Sequence, residues 1–253
     1  PDEVLEERVG GQIRPRRGDE EAQEDKKRFH RDRKTQTRRI LTHFRCLAST
    51  CGDHGIVVSA TPMPQLPAPT GFKEWSFVCD ALTQGKLSLI LRKGGIHEGR
   101  GGFEWKHKQF FLFPTWFHNQ AADLNWTPEN TQRAFPPEEE RQTVDIDGCA
   151  TLEQVWKVTD WEKVAALAPL HIWNENVAKE RFVYDDETCL HVALVRAYKL
   201  PQRWHFPYAK SYGGCRSWIT LPEEGLPMAA AATPALSDVA FGEVSAKLKA
   251  ILG

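Results

Sequence analysis

The chain has 253 residues, 41% of them hydrophobic, and a formal net charge of −1. This length and apolar content allow a substantial core in one or two domains, and the near-neutral charge excludes a global basic field. No apolar run approaches the roughly 20 residues that span a bilayer, so we expect no membrane contact. The six cysteines are scattered without a Cys-x-x-Cys pair, which favours reduced thiols in the cytoplasm over zinc ligands or a disulfide framework.

Residues 1–70 differ in composition from the rest of the chain. Residues 19–39 alternate acids and bases, and residues 61–69 are rich in proline. Such a segment buries too little apolar surface to offset its ordering entropy, so we predict a disordered extension. Met63 is the first methionine, which leads to the hypothesis that it starts the native protein and that an upstream extension precedes it. The alternative is a genuine charged arm or a targeting segment.

Regular apolar spacing begins at Phe72 and predicts one globular α+β domain over residues 71–225. The elements predicted in its first half are a helix over 72–84 ended by Gly85, strands over 87–93 and 109–113, the second ended by Pro114, and a helix over 116–124 capped by Thr115.

The second half of this domain continues the irregular mixture of strands and helices. The predicted elements are strands over 143–146 and 154–158 joined by a turn at Asp147 and Gly148, helices over 161–167 (capped by Asp160) and 170–182, and strands over 190–200 and 217–221. An alanine- and proline-rich linker over 226–235 and an amphipathic helix over 236–253 follow. Without regular βα alternation, the pattern favours a mixed or barrel-like sheet with flanking helices over a doubly wound fold.

The first candidate site is the segment that starts with Arg92 and Lys93 at the end of a predicted strand. Gly94 and Gly95 would let backbone N–H groups approach a phosphate, and the two bases, with His97 nearby, would hold its charge. The structural alternative is a glycine turn surrounded by solvated charges.

The second candidate is the segment 212–218. Tyr212 and Trp218 are suited to stack on a base, while Arg216 contacts a phosphate. The alternative is a tight turn at the glycine pair with a small buried cysteine, since a nucleophilic cysteine needs a stronger base than this segment supplies. The binding residues expected here are Tyr212, Gly213, Gly214, Cys215, Ser217 and Trp218.

A third set of residues would support catalysis instead. If Glu104 and Lys106 lie on a strand, they share one face, where the acid can hold a divalent metal and the lysine can orient water. Glu98 is the alternative acid. His118 is a candidate general base, but its aromatic and apolar neighbours, like those of His171, favour a hydrogen-bonded core histidine. This nuclease interpretation is the one case in which a metal cofactor is expected; otherwise we expect no cofactor.

Several blocks occur in an order that resembles a known family. They are Glu74-Trp75, Asp80-Ala81-Leu82 with Gly85, LRKGGIHE (91–98), FLFPTWFH (111–118), LHIW (170–173) and YGGCRSW (212–218). Over roughly residues 72–221 the chain resembles the uncharacterised family called domain of unknown function 1802. The resemblance implies no established activity, but members are similar to proteins joined to restriction-type endonuclease domains, which implies a nucleic-acid setting. It adds His171 and Trp173 to the expected binding residues.

The predicted strands also resemble small barrel modules of the PUA and ASCH type, which hold a base in a cleft, and Arg196 on the long strand joins the expected binding residues. We therefore predict a module that recognises nucleic acid or a nucleotide, and we favour this binding role over catalysis. One alternative is a metal-dependent nuclease or phosphodiesterase that uses Glu98 or Glu104 with Lys106. The other is an interaction protein whose terminal helix, over 236–252, docks a protein partner or a second copy.

Overall fold

The structure, a computed structural model, describes residues 65–93, 104–116, 120–128, 140–184 and 187–253. Met63 and most of the predicted extension lie outside these ranges. The described chain opens with Leu66 buried in the core and Thr70 in a strand.

Strands and helices alternate irregularly along the described chain. In order they are β1 (Thr70–Trp75), α1 (Ser76–Thr83), β2 (Leu89–Arg92), β3 (Gln109–Thr115), α2 (Gln120–Asp123), β4 (Thr143–Val158), α3 (Trp161–Ala166), α4 (Glu175–Phe182), β5 (Leu190–Pro207), β6 (Trp218–Thr220), α5 (Leu226–Ala230), β7 (Thr233–Pro234) and α6 (Asp238–Leu252).

The strands of the described ranges form one mixed sheet in the order β2-β5-β4-β3-β1-β6, with β7 paired to β5. β1 and β3 run parallel, and the other pairs are antiparallel. This arrangement confirms the α+β class and the mixed sheet with flanking helices. The strand path is open, with β2 and β6 at its two ends, so the sheet is not a closed barrel.

The sheet is buried on both faces, as β3 illustrates. Phe110 and Leu112 belong to one core cluster, while Phe111 and Phe113 belong to the other, because successive strand residues point to opposite faces. Apolar residues of α1, α3, α4 and α6 pack in the first cluster. Residues from the end of β5 to α5 cover the second cluster.

The helix predicted over 72–84 begins only at Ser76. Residues 70–75 form β1 instead, because they pair with β3 on one side and β6 on the other. Gly85 follows the helix as predicted, with a φ of 67° in the left-handed region that favours glycine.

The turn predicted at Asp147 and Gly148 is wrong, because β4 continues through it and pairs with β5 on both sides. The register shifts between Ile146 and Gly148, which marks a bulge. Glycine is needed there because a Cβ would overlap Cγ2 of Thr83 and lie 2.7 Å from the carbonyl oxygen of Tyr198.

The end of β3 also differs from its prediction. The strand runs through Pro114, which is tolerated because β4 pairs with β3 only up to Phe111 and leaves the proline with a single neighbouring strand. Thr115 is the last strand residue, and its Oγ1 donates to the carbonyl oxygen of Glu74 at 3.0 Å. The helix expected over 116–124 is reduced to α2 in the described residues.

In the second half of the chain, the predicted helices lie closer to those of the structure. Asp160 caps α3 as predicted, accepting from the Glu162 N–H at 2.9 Å. The helix expected over 170–182 begins at Glu175. The predicted linker contains α5 and β7, and its Ala229 and Ala232 are buried.

The terminal helix is confirmed as α6, capped by Ser237. Leu248 and Leu252, on the apolar face expected to dock a partner, lie in the core of the same domain, whereas Val239 is exposed. No helix in the described ranges is long and apolar enough to cross a membrane.

Candidate ligand-binding cleft

A cleft of about 380 Å³ lies where the ends of β1, β2 and β3 meet the chain after β5. Basic and aromatic side chains dominate its wall, and the lining residues that the structure describes include no carboxylate. They are Lys73, Arg92, Arg141, Arg216, Trp75, Phe113, Trp116, Tyr208, Tyr212, Thr115, Gly214, Cys215 and Ser217. Such a wall is suited to an anionic ligand that also carries a flat group.

Arg92 reaches the cleft from the end of β2 and is held in place by three contacts. Its guanidinium lies 4.7 Å from the centroid of the Phe72 ring, and Nη2 donates to the carbonyl oxygen of Lys73. Its Nε lies 3.7 Å from Oε2 of Glu74. The side chain keeps 23% exposure, so Arg92 is fixed by the protein while it still lines the cleft.

Glu74 is the counterion of Arg92, and its side chain is fully buried. Oε1 accepts from the Trp75 N–H at 2.8 Å.

Arg181 packs behind the aromatic wall of the cleft. Its guanidinium lies 4.7 Å from the centroid of the Trp75 ring and 5.3 Å from that of Trp173, and Nη1 donates to the Leu91 carbonyl at 3.0 Å. Burial lowers the pKa of Arg181 to about 10, an effect that the charge of Glu74 opposes.

The opposite wall is the loop 211–217, which a lysine of β1 holds in place. Lys73 Nζ donates to the carbonyl oxygens of Tyr212 and Gly214, both at 2.7 Å. Gly214 has a φ of 77°, in the left-handed region that favours glycine, and the chain bends there within the cleft wall. Cys215 is exposed in this wall with a free thiol, so the interpretation of it as a small buried residue is wrong.

The ring of Tyr212 is buried rather than open to a ligand. Its centroid lies 5.6 Å from that of Phe113 and 5.8 Å from that of Tyr208, both edge to face. Burial raises the pKa of Tyr212. Trp218 does not line the cleft, and its ring centroid lies 4.7 Å from that of Phe72.

The structure therefore brings Arg92 and the segment 212–217 to one cleft but places other expected residues elsewhere. Lys93 points away from its neighbour Arg92, and its Nζ donates to the carbonyls of Phe182 at 3.2 Å and Cys189 at 3.3 Å. It joins the end of α4 to the start of β5.

His171, Trp173 and Arg196 also lie away from the cleft. Trp173 is fully buried, and burial lowers the pKa of His171 to about 4, which matches a neutral core histidine. Arg196 pairs with Asp238 and lies 5.0 Å from the Phe241 ring, so it attaches α6 to β5.

The arrangement expected for a nuclease is not formed by Glu104 and Lys106. Both are exposed in irregular chain before β3, so strand alternation does not place them on one face. In the described part of the chain, no three His, Cys, Asp or Glu side chains lie close enough to hold a metal ion. The remaining candidates, Gly94, Gly95, His97, Glu98 and His118, lie outside the described residues.

Sequence reasoning missed several residues of the cleft. Lys73 precedes the Glu74-Trp75 block and Trp116 lies within FLFPTWFH, so the blocks themselves were the available signal. Arg141 and Tyr208 carried no such signal, because each stands in a polar or irregular stretch.

Comparison with known proteins gives a family match and two distant structural matches. The sequence profile of the family described as Domain of unknown function (DUF1802) matches residues 71–247, so the similarity extends beyond Leu221 into α6. No curated protein matches the chain.

Among solved structures, the ASCH protein of Zymomonas mobilis is similar with a TM-score of 0.37 and 11% identity, covering 65% of this chain and 95% of that chain. A serine-to-alanine mutant of the Zymomonas mobilis protein gives a TM-score of 0.38 and 10% identity, covering 67% of this chain and 100% of that chain.

Proposed function

The chain belongs to the family described as Domain of unknown function (DUF1802), which brings no established activity with it, and we propose that its cleft recognises a nucleotide or a segment of nucleic acid. The observation that supports this function is the wall of the cleft, which combines four cationic side chains with aromatic rings and includes no carboxylate among its described residues.

A nucleotide is the ligand whose chemistry matches both halves of this wall. Its phosphate needs cations or N–H donors, and its base offers a π-face to an aromatic ring. A small inorganic anion would leave the aromatic rings without a stacking partner, and an uncharged aromatic ligand would leave the arginine charges without a counterion. The volume, about 380 Å³, lies in the range of roughly 300–1,000 Å³ typical of small-molecule pockets.

The cations of the cleft have different tasks. Lys73 and Arg92 donate to backbone carbonyls, so they contribute positive potential from fixed positions. Arg216 makes no hydrogen bond or ion pair with any residue in the described ranges and is exposed. We assign the direct phosphate contact to Arg216.

We assign base stacking to other aromatic residues of the cleft lining and not to Tyr212. Tyr212 is packed on several sides by other rings, whereas Trp75, Trp116 and Tyr208 are half-buried in the lining. Trp75 is held from behind by Arg181, which makes it a rigid platform for a base.

Binding of fluorescent single-stranded oligonucleotides, followed by anisotropy at several salt concentrations, tests the proposal. Arg216→Ala is expected to weaken binding about tenfold and to reduce the salt dependence by about one released counterion. Lys249→Ala removes the same charge from an exposed position on α6 and serves as the matched control. Equal effects of the two substitutions, or an absence of salt-dependent binding, would refute the proposal.

A further inference from the structure

A second cavity, of about 310 Å³, also borders the loop 211–217. We call it the groove; its lining includes His107, Ser211, Arg216 and Trp218. Arg216 lines the groove as well as the cleft. The two cavities are therefore separated by no more than the reach of one arginine side chain.

The groove repeats the chemistry of the cleft on a smaller scale. His107 and Trp218 meet edge to face with ring centroids 5.0 Å apart. Trp218 is held by its Nε1, which donates to the Glu104 carbonyl at 3.2 Å, and by its packing on Phe72. Threonine and serine hydroxyls complete a lining that, in the described residues, includes no carboxylate.

We propose that the groove holds a second nucleotide, so that the ligand is a single-stranded nucleic acid of at least two nucleotides that crosses the loop. This inference rests on the proposed function and specifies its ligand class. In a dinucleotide the linking phosphate lies between two bases, and Arg216 occupies the corresponding position between two cavities with aromatic walls. Its guanidinium then binds the linking phosphate.

The separation of the two cavities selects single strands over duplexes. Bases in a duplex are paired and stacked, so two neighbours can enter separate cavities only after both leave the stack, at a cost of a few kcal/mol per base. A single strand has no such cost, and aromatic walls and a basic contact are the usual means of binding it.

Titration calorimetry with the whole chain tests the inference through one ratio, the affinity for a homodinucleotide divided by the affinity for the matching mononucleotide. Ribose and deoxyribose forms of the four bases are used in parallel at one salt concentration, and a high ratio with either sugar supports the inference. We expect a ratio of tenfold or more. We also expect a short hairpin duplex to bind more weakly than the ribose or the deoxyribose dinucleotide.

Variants separate the groove from the cleft. His107→Ala, at an exposed position, is expected to reduce the ratio at least fivefold, whereas Lys108→Ala, at the next exposed position outside the groove lining, should leave it unchanged. A ratio near one, or an unchanged ratio in His107→Ala, would overturn the groove inference while mononucleotide binding still supports the cleft. If neither ligand binds, the cleft proposal fails and the groove inference fails with it.

Discussion

Replacing Gly148 with alanine is a direct test of how closely β4 approaches α1. The new Cβ would overlap Cγ2 of Thr83 and lie 2.7 Å from the carbonyl oxygen of Tyr198. Overpacking of this kind costs about 1–3 kcal/mol. We expect a loss near 3 kcal/mol in the free energy of unfolding, because the Tyr198 oxygen is backbone and has no side-chain rotation to relieve the contact.

A second substitution shows whether this contact is the cause. Thr83→Ser removes Cγ2 but keeps the hydroxyl that donates to the carbonyls of Cys79 at 3.0 Å and Asp80 at 3.1 Å. Alone it should cost about 1 kcal/mol, the value of one buried methyl group. In the double variant, Thr83→Ser should instead raise the free energy of unfolding by about 1 kcal/mol relative to Gly148→Ala alone, because the overlap with Cγ2 is removed.

Urea denaturation of the four proteins in this cycle, with the m-value compared throughout, measures these differences. Gly242→Ala is the control, because a Cβ at Gly242, on α6, meets nothing within 4 Å, so it should raise stability by up to about 1 kcal/mol. The reasoning is refuted if Gly148→Ala costs less than about 0.5 kcal/mol, or if Thr83→Ser adds its full cost to that of Gly148→Ala.

Three further predictions concern the core and one helix cap. Phe72→Ala empties the fully buried space beneath Arg92 and should lower the free energy of unfolding by about 3–5 kcal/mol, more than Phe72→Leu; equal losses in urea denaturation would contradict this. Asn174→Ala removes the side chain that accepts from the Val177 N–H at 2.9 Å and should lower the free energy of unfolding by about 1 kcal/mol, measured by thermal unfolding. Asn174→Ser keeps an oxygen that can cap the helix, so it should lose much less stability; equal losses would contradict this prediction. Burial lowers the pKa of His171 to about 4, so the unfolded chain binds a proton at this histidine before the folded chain does as the pH falls below 6.5. The contribution of neutral His171 to the free energy of unfolding is therefore complete above pH 6.5 and should fall by about 3 kcal/mol at pH 4. An NMR titration in which His171 protonates near pH 6.5 would contradict this prediction.

The elements that the sequence predicted well are those whose signals are local. Asp160 accepts from an N–H two residues away, and Gly85 ends α1 by its own backbone conformation. The missed strand β1 depends on partners at residues 111–115 and 218–220, which local spacing does not reveal. Asp147 and Gly148 resemble a hairpin turn for the same reason, since the helix that demands a glycine there is far away in sequence.

The cleft was predictable only in part. Family blocks and charge density indicated Arg92 and the segment 212–217, and the structure places them together. The different directions of Arg92 and Lys93 depend on which face of the sheet each adjacent residue meets at a strand end, and no local pattern contains that information. The role of Lys73 depends on carbonyls 139 and 141 residues away.

The pairing of β1 with β6 has a consequence for the newly made chain. β1 leaves the ribosome long before residues 218–220, and until they arrive one side of the strand presents unpaired N–H and C=O groups to other nascent chains. Lys73, in the middle of β1, places a charge on that open edge, which is a common protection against edge-to-edge aggregation. In the finished domain the same ammonium group fastens the loop 211–217. The side chain that charges the open edge of β1 in the incomplete chain therefore also holds one wall of the cleft once residues 218–220 have paired.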